Sequence, residues 1–586
     1  MRVSPPPDRH IPPDRHSLAL VARVIPDVAA IDKTFDYLIP DRFREEVRVG
    51  TIVRIELHGR RVRGWVVAVG VEPPEGVMLK PIAKVTGWGP PADMVDLAHW
   101  AAWRWAGRVT ALLGTASPPG AVTNLPTAGP RRAVRAAAAA SAVVRVPPAT
   151  DVFPHVLAAA EQGNALIVTP SIAQAREIAS RLRRAGVTTA FVPHEWARAA
   201  AGATVVGARA AAWAPVIDLA AVVVVDEHDE GLQEERAPTW HARDVAIERA
   251  QRLGVPCVLL SPCPTLEARA WASVTAPSTA EERAGWPIVD VVDRRQEDPV
   301  KAGLYSDRLA RWLREPDRGR VLCVLNRTGR ARLLACVACG HVADCDRCGA
   351  AVVQPDVGRF RCVRCGTERP VVCRHCGGSR MKNLRTGVSR AREELEGLAA
   401  EPVAEITGAT VNRGRPAARI VVGTEAVLHQ FGPGDGVGVI AVLDLDQELL
   451  APRYRAAEQA LGLLARAGRI LGGRPSGGRL LLQTRQPKHP VVEAALHADP
   501  ERVAKAERAT RRTLGFPPFA ALAAVSGPAA PAFIEALGSP LGVDVLGPGD
   551  GRWLVRAPDH ATLCDALAAT PRPPGRVRVE VDPLRI

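Results

Sequence analysis

The sequence predicts a multidomain α/β protein, and three observations carry that expectation. Short apolar strands alternate with helical segments from Asp151 onward, the alternation begins again at Val321, and eight of the twelve cysteines interrupt the second block as four Cys-x-x-Cys pairs. Apolar strands separated by helices need cover on both faces, as in a parallel sheet. In the first block Ala165-Leu-Ile-Val-Thr169 precedes a helix through Arg184, and Thr204-Val-Val-Gly207 precedes a short crossover. Ala221-Val-Val-Val-Val225 then runs into Asp226-Glu227-His228-Asp229, and Val258-Leu-Leu-Ser261 follows. In the second block Val321-Leu-Cys-Val-Leu325 is resumed, beyond the cysteines, by Arg419-Ile-Val-Val-Gly423 and Gly438-Val-Ile-Ala-Val-Leu443. Two such lobes in tandem have the layout of a nucleic-acid motor.

The cysteine pairs are Cys336/Cys339, Cys345/Cys348, Cys362/Cys365 and Cys373/Cys376. Two intervening residues let one tight turn aim both sulfurs at a common point, and tetrahedral Zn²⁺ accepts four thiolates at about 2.3 Å. Four turns therefore suggest two Zn²⁺ ions per chain, although spacing does not choose among the ways of joining four pairs into two sites. Glycine follows each pair, at Gly340, Gly349, Gly366 and Gly377, where a positive φ lets the chain turn under a metal. Four disulfides are the alternative, and they require an oxidising compartment and no particular spacing.

At 586 residues the chain is expected to hold several domains. Its net charge of +14, about +10 if two Zn(Cys)₄ sites form, fits a polyanionic partner or an arginine-rich solvated surface. The cysteine region itself carries Arg347, Arg361, Arg364, Arg369, Arg374 and Arg380. Residues 1–17 repeat Pro-Asp-Arg-His in a proline-rich setting without an apolar core, so they read as a disordered leader and not a signal peptide. The longest near-apolar run, Ala136 to Val144, is too short for a bilayer that needs about 20 residues. A soluble, cytoplasmic, nucleoid-associated protein without membrane contact is expected.

From Leu18 to about Trp88, β-branched runs alternate with turns, which suggests a small β-barrel or sandwich. It contains Thr34-Phe35-Asp36-Tyr37, the basic turn Gly59-Arg60-Arg61, and Lys80. An aromatic beside a carboxylate can stack on a terminal base and accept a hydrogen bond from its free hydroxyl. On the residues alone, Phe35 and Tyr37 read as core. From Pro90 to Pro119 the pattern turns helical and is compatible with a small helical or winged-helix module, and an Ala, Pro and Arg-rich linker with one strand, Ala142-Val-Val-Arg-Val146, leads into the first lobe.

In order along the chain, Thr34-Phe-Asp-Tyr37, Val222 to Asp226, His241-Ala-Arg-Asp244, Asn326-Arg-Thr-Gly329 with the cysteine array, Gln483-Thr-Arg-Gln-Pro-Lys-His-Pro490, Leu514-Gly-Phe-Pro-Pro-Phe519 and Val545-Leu-Gly-Pro548 resemble the signatures of the PriA family of replication-restart helicases. The resemblance runs from about Leu18 to the C-terminus. It implies two RecA-like helicase lobes with an N-terminal β-rich DNA-binding domain, a winged helix, a two-zinc insertion and a C-terminal α+β domain. The implied boundaries are 18–89 for the 3′-DNA-end-binding domain, 90–130 for the winged helix and 131–150 for a linker. Lobe 1 then covers 151–292, lobe 2 covers 293–332 and 381–485, the zinc insertion 333–380, and a C-terminal DNA-binding domain 486–586. It places the 3′-end pocket on Phe35, Asp36, Gly59 and Lys80, flanked by Tyr37, Arg60 and Arg61, and so moves Phe35 from core to stacking platform. It pairs the cysteines in a nested way, with Cys336, Cys339, Cys373 and Cys376 on one Zn²⁺ and Cys345, Cys348, Cys362 and Cys365 on the other.

The motor motifs depart from the family. A P-loop needs backbone N–H groups that cradle phosphates and a lysine that reaches them. At its place this chain reads Pro147-Pro-Ala-Thr-Asp-Val-Phe-Pro154, with no glycine from Pro130 to Gln162 and no lysine from Val85 to Val300. The acidic motif is shortened to Asp226-Glu227-His228, the coupling motif reads Ser261-Pro-Cys-Pro264, and the two γ-phosphate arginine positions align with Ile470 and Gly473 unless a gap brings Arg466 and Arg469 there. Such arginines contribute about 10³ to 10⁵ in rate, so no catalytic residue, ATP or Mg²⁺ is expected. The expected role is recognition of stalled forks, D-loops and single-stranded 3′ ends by structure. The expected protein partners are other primosome proteins, the replicative helicase loader and single-stranded DNA-binding protein. The alternatives are an ATP-dependent 3′-to-5′ helicase with an unorthodox nucleotide site and a zinc-stabilised protein scaffold.

Overall fold

The computed structural model describes residues 20–28, 31, 33–72, 76–127, 140–297, 303–326, 333–356, 358–383, 388–408 and 414–585. The expected leader over 1–17, the linker as far as residue 139, and Arg327-Thr328-Gly329 lie outside the described residues. Two compact units result, one running through His99 with Arg108–Pro126 and the other holding Trp100–Gly107 and the chain from Thr127 on.

The first unit is built on five antiparallel strands: β1 (Val21–Pro26), β2 (Phe35–Leu38), β3 (Ile52–Leu57), β4 (Arg60–Val69) and β5 (Lys84–Gly87), in the order β2-β1-β4-β3-β5. Period-two alternation sends Val53, Ile55 and Leu57 inward while Arg54 and Glu56 face out. Val53 and Ile55 join Ala22, Val24, Tyr37, Ile39, Val66 and Ile82 in one core. β3 and β4 meet at a two-residue turn, His58-Gly59, with φ of 48° and 75°, the geometry that matches strand twist in a hairpin.

The expected break at residue 89 does not divide this unit. Trp65 Nε1 donates to Ser117 Oγ at 2.9 Å, so the segment after the helix Val109–Ala116 is tied to β4. Between 92 and 127 the described residues form two helices, Ala92–Arg104 and Val109–Ala116, and no strand.

In the second unit the first lobe is a seven-stranded sheet. Its order is Val274–Thr275, Ala142–Arg145, Cys257–Ser261, Leu219–Val225, Asn164–Val168, Thr204–Gly207 and Thr189–Phe191, and every pairing is parallel. The second lobe is a six-stranded parallel sheet in the order Ile288–Asp293, Arg479–Thr484, Val437–Val442, Arg320–Val324, Ile420–Gly423 and Val403–Ile406. Central strands such as Leu219–Val225 are buried at every position, as continuous valine runs require. Two expected boundaries move. Ala142–Arg145 is a strand of the first sheet, paired with Cys257–Ser261, and not linker. Ile288–Asp293 belongs to the second sheet, because it pairs with Arg479–Thr484 over its whole length.

The cysteine region folds into a two-stranded ladder, Leu334–Cys336 with Met381–Asn383, and a three-stranded sheet, Val352–Asp356, Arg359–Cys362 and Glu368–Pro370. It is docked, not tethered: Phe360, Val352 and Cys362 share a buried cluster with Tyr454, Leu514, Phe516 and Leu522. Arg364 donates to Cys348 O at 3.0 Å within the insertion and to Ala451 O at 2.9 Å across that seam. The chain ends in a four-stranded antiparallel sheet with two helices, Ala530–Leu537 and His560–Ala569. Among the described residues no helix is long and apolar enough to cross a membrane.

Candidate metal centres, motor cleft and DNA-end site

All four cysteine turns have one local structure. The N–H of Gly340, Gly349, Gly366 and Gly377 donates to the carbonyl of the first cysteine of its pair, and each glycine has φ between 70° and 77°. That conformation is cheap only for glycine. The turns bring Cys336, Cys339, Cys373 and Cys376 together as one group and Cys345, Cys348, Cys362 and Cys365 as another, all sulfurs of a group within 4.8 Å of one another. Facing pairs such as Cys336/Cys376 and Cys348/Cys362 stand 3.5 Å apart. That is too long for a disulfide of about 2.05 Å and close to the roughly 3.8 Å edge of a tetrahedron with 2.3 Å metal–sulfur bonds. Backbone N–H groups of Ala338 and Cys339 point at the Cys336 sulfur and help lower its thiol to about 7, and those of Arg347 and Cys348 point at Cys345, where burial outweighs them and keeps the thiol raised. Each group is a candidate site for one metal ion. Cys339, His341 and His375 also converge, but Cys339 belongs to the four-thiolate set and the two imidazoles stack on each other at 3.7 Å. Of the basic residues counted here from sequence, Arg364 and Arg369 are structural. Arg364 is buried, and Arg369 donates to Val372 O at 2.7 Å and Asp344 O at 2.9 Å. Arg347, Arg361, Arg374 and Arg380 are exposed.

At the C-terminal ends of the first lobe's strands, the place of a P-loop is filled by protein. Residues 147–150 close into a turn, with Thr150 N donating to Pro147 O at 2.9 Å and Ala149 N to Gly285 O at 3.0 Å. A Cβ on Gly285 would stand 2.3 Å from the Pro147 ring, and one on Gly468 would stand 3.0 Å from the Pro287 ring and 3.4 Å from the Pro148 ring. Arg469, from the helix Ala456–Leu471 of the second lobe, donates from Nη1 and Nη2 to the two oxygens of Asp226, each at 2.6 Å. Arg466, one turn earlier, pairs with Asp229. Asp226 also accepts from Gln174 Nε2 at 2.8 Å, so both its oxygens are engaged by protein. Burial alone would push Asp226 up, but the Arg469 charge and hydrogen bonds more than offset it and hold the carboxyl well below its ordinary range. Glu227, fully buried, accepts from Thr265 N at 2.8 Å, Thr265 Oγ1 at 2.9 Å and Arg243 Nη1 at 3.3 Å, and burial raises it. His228 Nδ1 lies 2.9 Å from Ser261 Oγ. Ile470 is core, and a Cβ on Gly473 would fall 2.1 Å from Ala284 O. Arg466 and Arg469 are therefore the arginines that face the acidic motif.

In the first unit, β2 pairs with β1 so that Asp36 stands opposite Arg23. Arg23 Nε donates to Asp36 Oδ1 at 2.8 Å and Nη2 to Oδ2 at 3.0 Å, which fixes the carboxylate while leaving each oxygen a lone pair. Tyr37, expected among the DNA contacts, is 4% exposed and donates its hydroxyl to Glu56 O at 3.0 Å. It is a core residue that ties β2 to β3, because strand alternation points it inward. Phe35 lies on the same face at the rim of the core, half-buried. Lys80 Nζ binds Glu56 Oε1 at 2.6 Å, and that contact lowers the Glu56 carboxyl. Gly59, Arg60 and Arg61 are exposed at the β3–β4 turn. Arg23 and Glu56, the partners of Asp36 and Lys80, were missed in the sequence reading, and a cross-strand register is the signal that finds them. Register also sets Arg54 opposite both Arg63 and Lys84, an arrangement of like charges that an anion relieves.

Two parallel-sheet lobes, a docked four-plus-four cysteine insertion and a separate β unit define a protein of helicase-like architecture. A family model described as 3′DNA-binding domain (3′BD) matches residues 23–118, which includes the helix Val109–Ala116. "Probable replication restart protein PriA" of Mycobacterium leprae is 30% identical over 454 residues, 69% of this chain and 68% of that one. The protein of the same name from Mycobacterium tuberculosis H37Rv is 29% identical over 91% of each chain. The chain belongs to the PriA family of replication restart proteins. "Replication restart protein PriA" of Bacillus subtilis is 31% identical over 55% of this chain and 43% of its own. The chain spans about half the length of that protein and of its counterparts from Treponema pallidum, Thermotoga maritima and Haemophilus influenzae. The structure of Saccharomyces cerevisiae Dbp5 bound to RNA and ADP–BeF₃ covers 65% of this chain at 11% identity with a TM-score of 0.35, too low to carry an argument.

Proposed function

We propose that this chain recognises stalled or collapsed replication forks and D-loops by their structure and helps reload the replicative helicase, without unwinding DNA at the expense of ATP. The observation that carries the second half is the Asp226–Arg469 pair. A motor needs Asp226 for Mg²⁺ and an arginine for the γ-phosphate, and here the two neutralise each other in a cleft already filled by Pro147, Pro148 and Pro287. The residues present do not fit a nucleotide, because the prolines supply no N–H groups and no lysine stands in the lobe. The lobes serve instead as a frame. Buried Arg511 binds Glu458, Glu267 and Glu507, joining the helix Leu266–Trp271 of the first lobe, the helix Ala456–Leu471 of the second and the helix Glu501–Leu514.

DNA recognition is assigned to the first unit, with Phe35, Asp36, Gly59 and Lys80 around a 3′ end and Arg54, Arg60, Arg61, Arg63 and Lys84 on phosphates. The two four-cysteine groups are assigned one Zn²⁺ each, the ion that four thiolates at these separations suit. The family name supports the restart role, and the primosome proteins, the helicase loader and single-stranded DNA-binding protein are the partners that role requires. A labelled fork with a leading-strand 3′-OH is expected to bind more tightly than the same fork ending in a 3′-phosphate. Equal binding of the two forks would remove the DNA-end assignment.

A further inference from the structure

A cavity of about 390 Å³ lies where the cysteine insertion meets the second lobe, and Cys373 is the one lining residue that belongs to a site already assigned. One wall is the segment after the strand Arg479–Thr484. It is held in place by Asp446, which accepts from Arg485 N at 3.0 Å and from Thr484 Oγ1, and by His489 N, which donates to Gln486 O at 3.0 Å. This fixed loop presents Arg485 and Lys488 to the cavity; Arg485 acts on the carboxylates of Asp446 and Glu297 through its charge, and Lys488 is exposed. Arg295 adds a third cation, aimed by a two-point contact with Asp293 at 2.8 Å and 2.6 Å and lying 3.3 Å from His341 Nε2. The opposite wall carries the stacked imidazoles His341 and His375, 3.7 Å apart and 15° from parallel, with His375 exposed on its outer side. Asp344 is the lining carboxylate, and Arg374 stands 3.6 Å from it. Cations held beside an aromatic face are the parts with which proteins bind the phosphate and the base of a single-stranded nucleotide.

We propose that this cavity seats one phosphate-bearing nucleotide, its phosphate between Arg485 and Lys488 and its base against His375, supplied by a single DNA strand or as a free mononucleotide. The strand is the source that suits a DNA-binding chain, and in that respect the inference rests on the proposed function. The test is kept apart from the DNA-end site by using a small circular oligothymidylate, which has no 3′ end. Binding to the full chain is measured by fluorescence anisotropy across a salt series, for the wild type and for Arg485→Gln/Lys488→Gln. The double variant is expected to bind the circle at least tenfold more weakly. Its plot of log affinity against log salt should be shallower by about 0.7, the amount that one phosphate left unneutralised on a single strand accounts for. His375→Ala, with metal content checked, is expected to cost about tenfold without changing the slope, as loss of one stacking contact does. Thymidine monophosphate that binds the wild type and not the double variant, with circle binding unchanged, assigns the cavity to a free nucleotide. Unchanged circle binding, unchanged slope and no monophosphate binding, in a variant that melts like the wild type, overturn the proposal. A circle difference that persists although forks with and without a 3′-OH bind alike would sink the DNA-end reading and leave this one standing.

Discussion

Replacing Arg469 by methionine isolates the contact that closes the motor cleft. The substitution keeps the length and apolar contacts of the side chain but leaves Asp226, 3% exposed, without its cation. Removing one partner of a buried pair costs about 3 to 5 kcal/mol. Here Gln174 still donates to Asp226, and the Arg469 side chain is 31% exposed, so the expected loss is smaller, about 2 to 3 kcal/mol. For a cooperative unit of 150 to 250 residues that corresponds to a melting shift of about 4 to 12 °C, read by calorimetry or tryptophan fluorescence. Adding Asp226→Asn removes the orphaned charge, and the double variant should recover to within about 1 kcal/mol of the wild type. The pH dependence follows. Asp226 is held below its unfolded value, so the pair's stabilisation is complete above about pH 5 and is lost as pH falls through the acid range below about 4. The single variant should show a smaller loss of stability on acidification than the wild type. A melting temperature for Arg469→Met within 1 °C of the wild type, or a double variant no better than the single, would refute the pairing.

Three further outcomes are expected. Metal analysis of the purified chain should give two Zn²⁺, and Cys373→Ala should lose one and keep the other, because Cys373 belongs to only one four-sulfur group. In the DNA-end site, Arg23→Gln should weaken the preference for a free 3′-OH about as much as Asp36→Asn does, on the order of tenfold, while general affinity for duplex changes little, since Arg23 acts by fixing Asp36. Asp446 is pushed up to about 6 by burial and the neighbouring Asp444. Its folded value lies above the unfolded one, so it favours folding only while protonated, and stability should fall between about pH 4 and 6 and then level off. In Asp446→Asn that slope should be absent from a melting series across pH.

The central strands were legible because their chemistry is local. Runs such as Val222 to Val225 have no polar face, and four identical Cys-x-x-Cys-Gly turns each carry their own geometry. The strand Ile288–Asp293 was assigned to the wrong lobe because its partner, Arg479–Thr484, lies almost two hundred residues away. Tyr37 reads as core on the residues alone and is buried, while its place beside the DNA-end residues came with the resemblance; what local sequence hides is its partner, because Glu56 O, which captures the hydroxyl, belongs to another strand. The gapped placement of Arg466 and Arg469 had a readable signal. Two arginines three residues apart on a helix match Asp226 and Asp229, three apart after a strand, and the structure joins them pair to pair. The loop Arg485 to Lys488 could not be recognised as one wall of a cavity, because the other wall comes from the insertion.

Phosphate release by the purified full chain, with ATP and Mg²⁺ and with or without forked DNA, separates a binding protein from a motor most directly. With the P-loop position filled by prolines and Asp226 held by Arg469, release is expected to stay at the buffer background whether or not the fork is present. Release that forked DNA stimulates and that Asp226→Ala abolishes would contradict it and restore a working nucleotide site to the cleft.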